Sequence, residues 1–166
     1  QIWFNYNNVA IIDRTPMQVG LLGLLDAFIA FRKEVVLRRS KYEYDRMEAR
    51  THVIEGLTKA VSILDEVIAI IRRSKDKADS KRNLMAAFGF DDAQAEAIVT
   101  LRLYRLSNTD IIELRDEFAE LVNRMDELQS IMENPKVLRS VIVKELREVK
   151  AAYGDERRTS IEAEVE

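Results

Sequence analysis

The sequence predicts a mainly α protein: a long antiparallel coiled-coil hairpin with a small globular helical knob, plus a short N-terminal β segment. Three observations predict it. Leu21 to Arg73 runs for 53 positions without a proline, interrupted only by Gly23 and Gly56, each glycine costing a helix about 1 kcal/mol. Residues 107 to 153 supply a return path of similar length, 47 positions. A charged fraction of 33%, with five glycines and two prolines in 166 residues, suits long solvated helices better than a sheet-rich fold. A helix of that length with an apolar stripe needs a partner for the stripe, and the return path is the partner the chain offers.

In order, Ile2 to Ile12 carries Ile, Trp, Phe, Tyr and Val around Asn5, Asn7 and Asn8, which predicts one strand or a short hairpin. The rest of the chain offers no partner strand. Partners are therefore expected upstream, and the chain, which opens at Gln1, is expected to be a fragment. Thr15-Pro16-Met17-Gln18 predicts a helix start, with Thr15 as N-cap, Pro16 at the first helical position and Gln18 completing a capping box. Two seams follow on the outgoing helix. Leu22, Leu25, Ile29 and Val36 form the first, with Arg32 taking one place, and Ile54, Leu57, Val61, Leu64, Ile68 and Ile71 form the second. Arg38 to Thr51 between them is mostly charged and is predicted to be the least buried part.

Ser74 to Ser80 predicts a loop or a polar first turn. Lys81 to Phe88 predicts a short helix closed by Gly89, and Asp91-Asp92-Ala93-Gln94 a capping-box start for a helix from 92 to 106. Ser107 to Asp110 caps the next helix. Its stripe, Ile111, Leu114, Phe118, Leu121, Met125, Leu128 and Met132, steps alternately by three and four. Asn134-Pro135 ends it. A last helix from Val137 to Tyr153 turns Leu138, Val141, Ile142, Leu146 and Val149 inward and stops at Gly154. In the hairpin the second seam pairs with 111 to 132 and the first with 137 to 153, with a bend beside Pro135 and the knob about 70–80 Å from the open end by helix rise. The divisions are residues 1–15 (β segment), 16–74 (outgoing helix), 75–106 (knob), 107–153 (return helices) and 154–166 (tail).

Composition narrows function. A net charge of −3 gives no overall attraction to phosphate, so the chain by itself is not expected to bind nucleic acid strongly. With no cysteine, disulfides and thiol chemistry are excluded and a structural zinc site is disfavoured. No apolar run approaches twenty residues and no signal-peptide pattern is present, which predicts a soluble chain. Gly20-Leu21-Leu22-Gly23 falls within helical periodicity and is no phosphate loop. His52 stands one turn before Gly56, a small residue that would let another segment approach, and this favours a structural role over a catalytic one. Tyr42 and Tyr44 cannot share a helix face, so one packs while the other covers surface. Arg72, Arg73, Lys75, Lys77, Lys81 and Arg82 form a biased cluster, either a solvated face or a weak contact for a passing polyanion. The knob residues Leu84, Met85, Phe88, Phe90, Ile98, Leu101, Leu103, Tyr104 and Leu106 carry more apolar surface than two short helices can hide. That surplus packs against Val67 to Ile71 or forms a two-fold interface.

The strings RRSKYEYDRMEARTHVIEGL (38 to 57), FDDAQAEAIVTLRLYRLSNTDI (90 to 111) and GDERRTSIEAE (154 to 164) resemble the A subunits of bacterial type IIA DNA topoisomerases. SNTDI and LYRL suit the topoisomerase IV branch of that family better than its gyrase branch. VAIIDRTPMQVG (9 to 20) is similar to the last strand of the family's tower domain and the lead into its coil. The resemblance covers essentially the whole chain and departs at Phe31-Arg32, where relatives usually have His-Arg. It implies the coiled-coil arm and C-terminal gate of the breakage-reunion polypeptide, part of an ATP-hydrolysing isomerase of the bacterial cytoplasm associated with the nucleoid. There the knobs of two copies join to close the exit for a transported duplex. It further implies a homodimer interface at Leu84, Phe88, Ile98, Leu101, Arg102, Leu103 and Leu106. No tyrosine of this chain matches the family's catalytic one, so no catalytic residue is expected and the chain should be inactive alone. It implies no cofactor or metal in this chain, with ATP and Mg2+ held by the B subunit of topoisomerase IV as partner, and double-stranded DNA contacted mainly by upstream domains.

Overall fold

The computed structural model describes residues 7–101 and 108–160. Among these residues it contains one two-stranded sheet and six helices: β1 (Val9–Ile12), β2 (Thr15–Gln18), α1 (Leu21–Ser62), α2 (Leu64–Arg73), α3 (Lys77–Phe88), α4 (Asp92–Thr100), α5 (Asn108–Glu133) and α6 (Pro135–Tyr153). The protein is mainly α, as expected. The chain divides into two compact units, one of Gln1–Arg39 with Ile131–Glu166 and one of Ser40–Ser130.

In the first unit β1 and β2 form an antiparallel hairpin, with Ile12 opposite Thr15 and Val9 opposite Gln18. This corrects the helix start expected at Thr15 to Gln18. Asp13 and Arg14 both take positive φ, 48° and 65°, the requirement of a tight two-residue hairpin turn. That turn outcompetes the capping box. Val19 N–H donates to Asn8 O at 3.0 Å, so by alternation the Ile11–Pro16 pair is one without ladder bonds and the proline forfeits none.

The first seam closes at one point. Val36 is buried with Leu138 and Ile142, flanked by Leu37, Ile131 and Val141. Leu22 (76% exposed), Leu25 and Ile29 are exposed, as are Leu146 and Val149 of α6, against the inward placement expected for them. The seam place of Arg32 gives the reason. Its guanidinium bonds Glu145 Oε2 at 2.5 Å, while Arg39 takes Glu145 Oε1 at 2.6 Å. An ion pair replaces apolar packing there, and buried apolar contact does not resume beyond it. Asn134 caps α6 by accepting from Lys136 N–H at 3.0 Å, with Pro135 in the first turn.

In the second unit α1 and α5 pair antiparallel. Glu43 meets Arg124 and Arg50 meets Glu117, so seven residues forward on one helix match seven backward on the other. Every member of the α5 stripe from Ile111 to Met132 within this unit is at least half-buried, and Leu128 is fully so. The charged middle of α1 is less exposed than expected, because Ser40 (2% exposed) and Thr51 occupy buried positions. Both are small, and Thr51 satisfies its hydroxyl by donating to Met47 O at 2.8 Å.

The outgoing helix is not continuous. Ile63, at φ −125° and ψ 35°, separates α1 from α2, with its N–H reaching back to Ala60 O at 3.3 Å and Ser62 Oγ donating to Lys59 O. No glycine or proline stands there. Packing decides it: the buried set becomes Ile54, Leu57, Ala60 and Val67, while Val61, Leu64 and Ile68 of the expected second seam are half-buried.

Candidate functional site: the α3–α4 module and its mooring on α1

The module begins earlier than its sequence suggests. Ser74 to Ser80 was expected as loop or polar first turn, yet α3 starts at Lys77 because Asp76 is an N-cap, its carboxylate accepting from Asp79 N–H at 2.7 Å. Ser80 Oγ donates to Asp76 O at 2.9 Å, so its buried hydroxyl is satisfied. Gly89 closes the helix in the left-handed region at φ 69°. Asp91 and Gln94 then form the expected capping box of α4. α4 ends at Thr100 and Leu101 is extended, so the helix expected to run to residue 106 stops short of Leu101.

Ion pairs tie the two helices. Lys77 bonds Glu96, and Lys81 reaches Asp92 at 2.8 Å and Glu96 at 3.2 Å. Lys77, and then Lys81, hold the Glu96 carboxyl below the usual carboxylate range. Asp92, opposed by some desolvation, raises Lys81. Beneath the pairs lies one apolar core, in which Leu84, Phe90, Ala95 and Ile98 pack with Leu57 and Ala60 of α1 and Val67 of α2. Ile70 and Ile71 pack against it, so a large part of the module's apolar surface is spent internally.

Mooring to α1 is polar. His52 Nε2 pairs with Asp91 Oδ2, Gln94 Nε2 donates to His52 O at 3.0 Å, and Gln94 lies where a side chain at position 56 would begin. The Gln94 backbone N–H, then His52, keep the Asp91 carboxyl below its ordinary range. Further along α1, Lys59 Nζ donates to Phe88 O at 2.7 Å and sits 4.9 Å from the Phe90 ring, a cation at the carbonyl end of α3.

Of the expected interface residues, Leu84 (0% exposed) and Ile98 lie within the core, while Phe88 and Leu101 are half-buried. Phe88 stands edge-on to Phe90, ring centroids 6.0 Å apart. Arg102, Leu103 and Leu106 lie outside the described residues. Sequence reasoning treated His52 with Gly56, and Asp91 with Gln94, as two local features. The capping box and the glycine were each legible, but nothing in the spacing joined them. Lys59 carried no signal at all.

The chain's single histidine is committed to a carboxylate and a helix terminus, and no group of three or more His, Asp or Glu among the described residues could hold a metal ion. Tyr42 is exposed with Arg46 5.8 Å from its ring, and half-buried Tyr44 has Lys41 at 5.9 Å, the division of roles expected for the pair. Within the basic cluster, Lys77 and Lys81 pair as above and Arg82 with Asp79 at 3.2 Å. Arg72 and Arg73 occupy the last turn of α2, where helix electrostatics favours cations. No helix of the described residues is long and apolar enough to cross a membrane.

Known proteins match the chain over its whole length. It is 52% identical to the A subunit of DNA topoisomerase 4 from Bacillus subtilis over 166 residues, which is 100% of this chain and 21% of that protein. It is 48% identical to the protein of that name from Streptococcus pneumoniae over 162 residues, 98% of this chain and 20% of the relative, and 48% identical to the one from Staphylococcus aureus over 166 residues, 100% and 21%. The chain thus spans about a fifth of the length of the curated relatives it matches. The family model for the A subunit of DNA gyrase/topoisomerase IV matches residues 1–147, a stretch that includes the α3–α4 module and its mooring turn, and by that match the chain belongs to the DNA gyrase/topoisomerase IV A-subunit family.

Proposed function

We propose that this chain is the coiled-coil arm and C-terminal gate from the A subunit of a type IIA DNA topoisomerase. Two copies join through the α3–α4 module and form the exit for a transported duplex during ATP-dependent double-strand passage. The observation that carries the reading is apolar surface left over once the module has closed its own core: Phe88 and Leu101 are only half-buried, and a hollow of about 270 Å³ opens beside Val61, Leu64, Ile68, Val99 and Leu101. Buried Leu84 and Ile98 support that face from beneath. Arg102, Leu103 and Leu106 belong to the same proposed interface.

In the intact enzyme, DNA cleavage belongs to domains upstream of this arm, and none of the five tyrosines here carries covalent chemistry. The B subunit binds ATP and magnesium. The assembly works on double-stranded DNA in the bacterial cytoplasm. The alternative is a coiled-coil scaffold with an end-on dimer and no part in gating.

Phe88→Asp and Leu101→Asp test the interface. Analytical ultracentrifugation at several concentrations should show dimers of the parent chain and monomers of both variants with helical circular dichroism retained. Persistent variant dimers would remove this face as the interface. Cross-linking the modules in the full-length enzyme separates gate from scaffold, since strand passage is blocked in the first case and proceeds in the second.

A further inference from the structure

One turn of α1 grips two helices. Arg50 holds α5 with both arms of its guanidinium, Nε to Glu117 Oε1 at 2.7 Å and Nη2 to Glu117 Oε2 at 2.8 Å. Two residues later, His52 holds α4 through Asp91, and its carbonyl takes Gln94 Nε2. Side chains two apart on a helix are about 200° apart around its axis, so α5 and α4 are fastened on opposite sides of this turn. Gly56, one turn beyond His52, continues the α4 side: a Cβ there would stand 2.6 Å from Gln94 Cγ and 2.8 Å from Gln94 Cβ. Ile54, which follows both grips in sequence, is fully buried.

We propose that the two turns from Arg50 to Gly56 are a coupling junction through which a displacement of α5 along α1 is transmitted to the N-terminus of α4. Register fixes α5 at two points seven residues apart, Glu43 with Arg124 and Arg50 with Glu117. A slide of α5 therefore strips Glu117 from Arg50 and alters the turn on whose far side the α4 cap rests. The cap has little freedom to absorb this. Asp91 accepts from both Gln94 N–H and His52, Gln94 returns a bond to Asp91 N–H and donates to His52 O, and the space at Gly56 is filled. The inference rests on the geometry of this unit alone. If the module is a gate, the junction is where movement of the coil reaches the gate helix, and the test below reads the coupling whether or not the chain dimerises.

Hydrogen exchange on the whole chain with Glu117→Gln, a change on the α5 side only, supplies that test. Amides of α4 from Gln94 to Val99 should exchange about two- to fivefold faster, the span open to a partly exposed ion pair, with α6 amides unchanged. Unchanged α4 exchange overturns the proposal whether or not α5 responds. A second measurement covers general loosening: urea midpoints of Glu117→Gln, Gly56→Ala and their combination should be non-additive, and additive midpoints overturn the junction.

Discussion

Gly56 and Gln94 compete for one volume. A Cβ on Gly56 would approach Gln94 Cγ at 2.6 Å, Cδ at 2.9 Å and even Cβ at 2.8 Å, so rotating the glutamine cannot clear all three. Alanine in place of a helical glycine ordinarily stabilises by about 1 kcal/mol. Here overpacking of about 1–3 kcal/mol opposes it, and the bond from Gln94 to His52 O is disturbed as well. Gly56→Ala should therefore lower the urea midpoint. A raised midpoint would show that α4 moves off α1 at little cost.

Leu84 is fully buried at the centre of the module, whereas Phe88 is half-buried at its edge. Leu84→Ala should cost about 2–5 kcal/mol by lost transfer energy and cavity formation, while Phe88→Ala should cost less despite the larger side chain. Equilibrium denaturation followed by circular dichroism measures both. The reverse order would mean that Phe88 is part of the monomer's core.

The ion pairs give the stability profile its acid limb. Glu117 is held below the ordinary carboxylate range chiefly by its bond to Arg50, Glu96 by Lys77 and then Lys81, and Asp91 by Gln94 N–H and then His52. Each lowered carboxyl contributes stability that is complete above its unfolded pKa, about 4, and is lost as pH falls through the lower folded value. Stability should decline below about pH 4, and Glu117→Gln should flatten that decline. Solvent screening keeps the effect of the Arg50–Glu117 pair small, under about 1 kcal/mol. An unchanged acid limb in Glu117→Gln would remove this pair as a contributor.

Arg32 stands at a seam position with its Nε buried and without a hydrogen-bond partner, although its terminal nitrogen meets Glu145. Removing the carboxylate with Glu145→Ala strands this guanidinium and loosens Arg39 too, a loss of about 1–3 kcal/mol. Arg32→Leu removes the orphaned group and restores an apolar seam, so it should be neutral or stabilising. Thermal denaturation of the two variants should therefore give shifts of different size or opposite sign. Equal losses would mean the pair itself, rather than its unpaired Nε, governs the site.

Period and caps carried most of the fold into the sequence. The alternating steps from Ile111 to Met132, the capping box at Asp91 and Gln94, the C-terminal Gly89 and the stop at Asn134-Pro135 are local signals, and local signals survive tertiary context. What was illegible depended on competition. Thr15 to Gln18 satisfies a helix cap and a strand equally well, and the two positive-φ residues before it decided between them. Ser40 and Thr51 look like solvent-facing residues until a partner helix makes small size the relevant property. In the site, Gly56 announced a close approach without naming Gln94 as the approaching group, because a missing side chain carries no address.

The interruption at Ile63 lets both halves of the outgoing helix serve one core. Ten residues separate Leu57 from Val67, so in an unbroken helix Val67 would stand about 80° off the face of Leu57. With one non-helical residue between them, Leu57 and Val67 share the core of Leu84, Phe90 and Ile98. Since each helical residue turns the face by about 100°, an insertion or deletion of one residue near 63 swivels the α3–α4 module around the coil instead of lengthening it. The aim of the module is thereby set by a count of residues, independently of how tightly the coil itself is zipped.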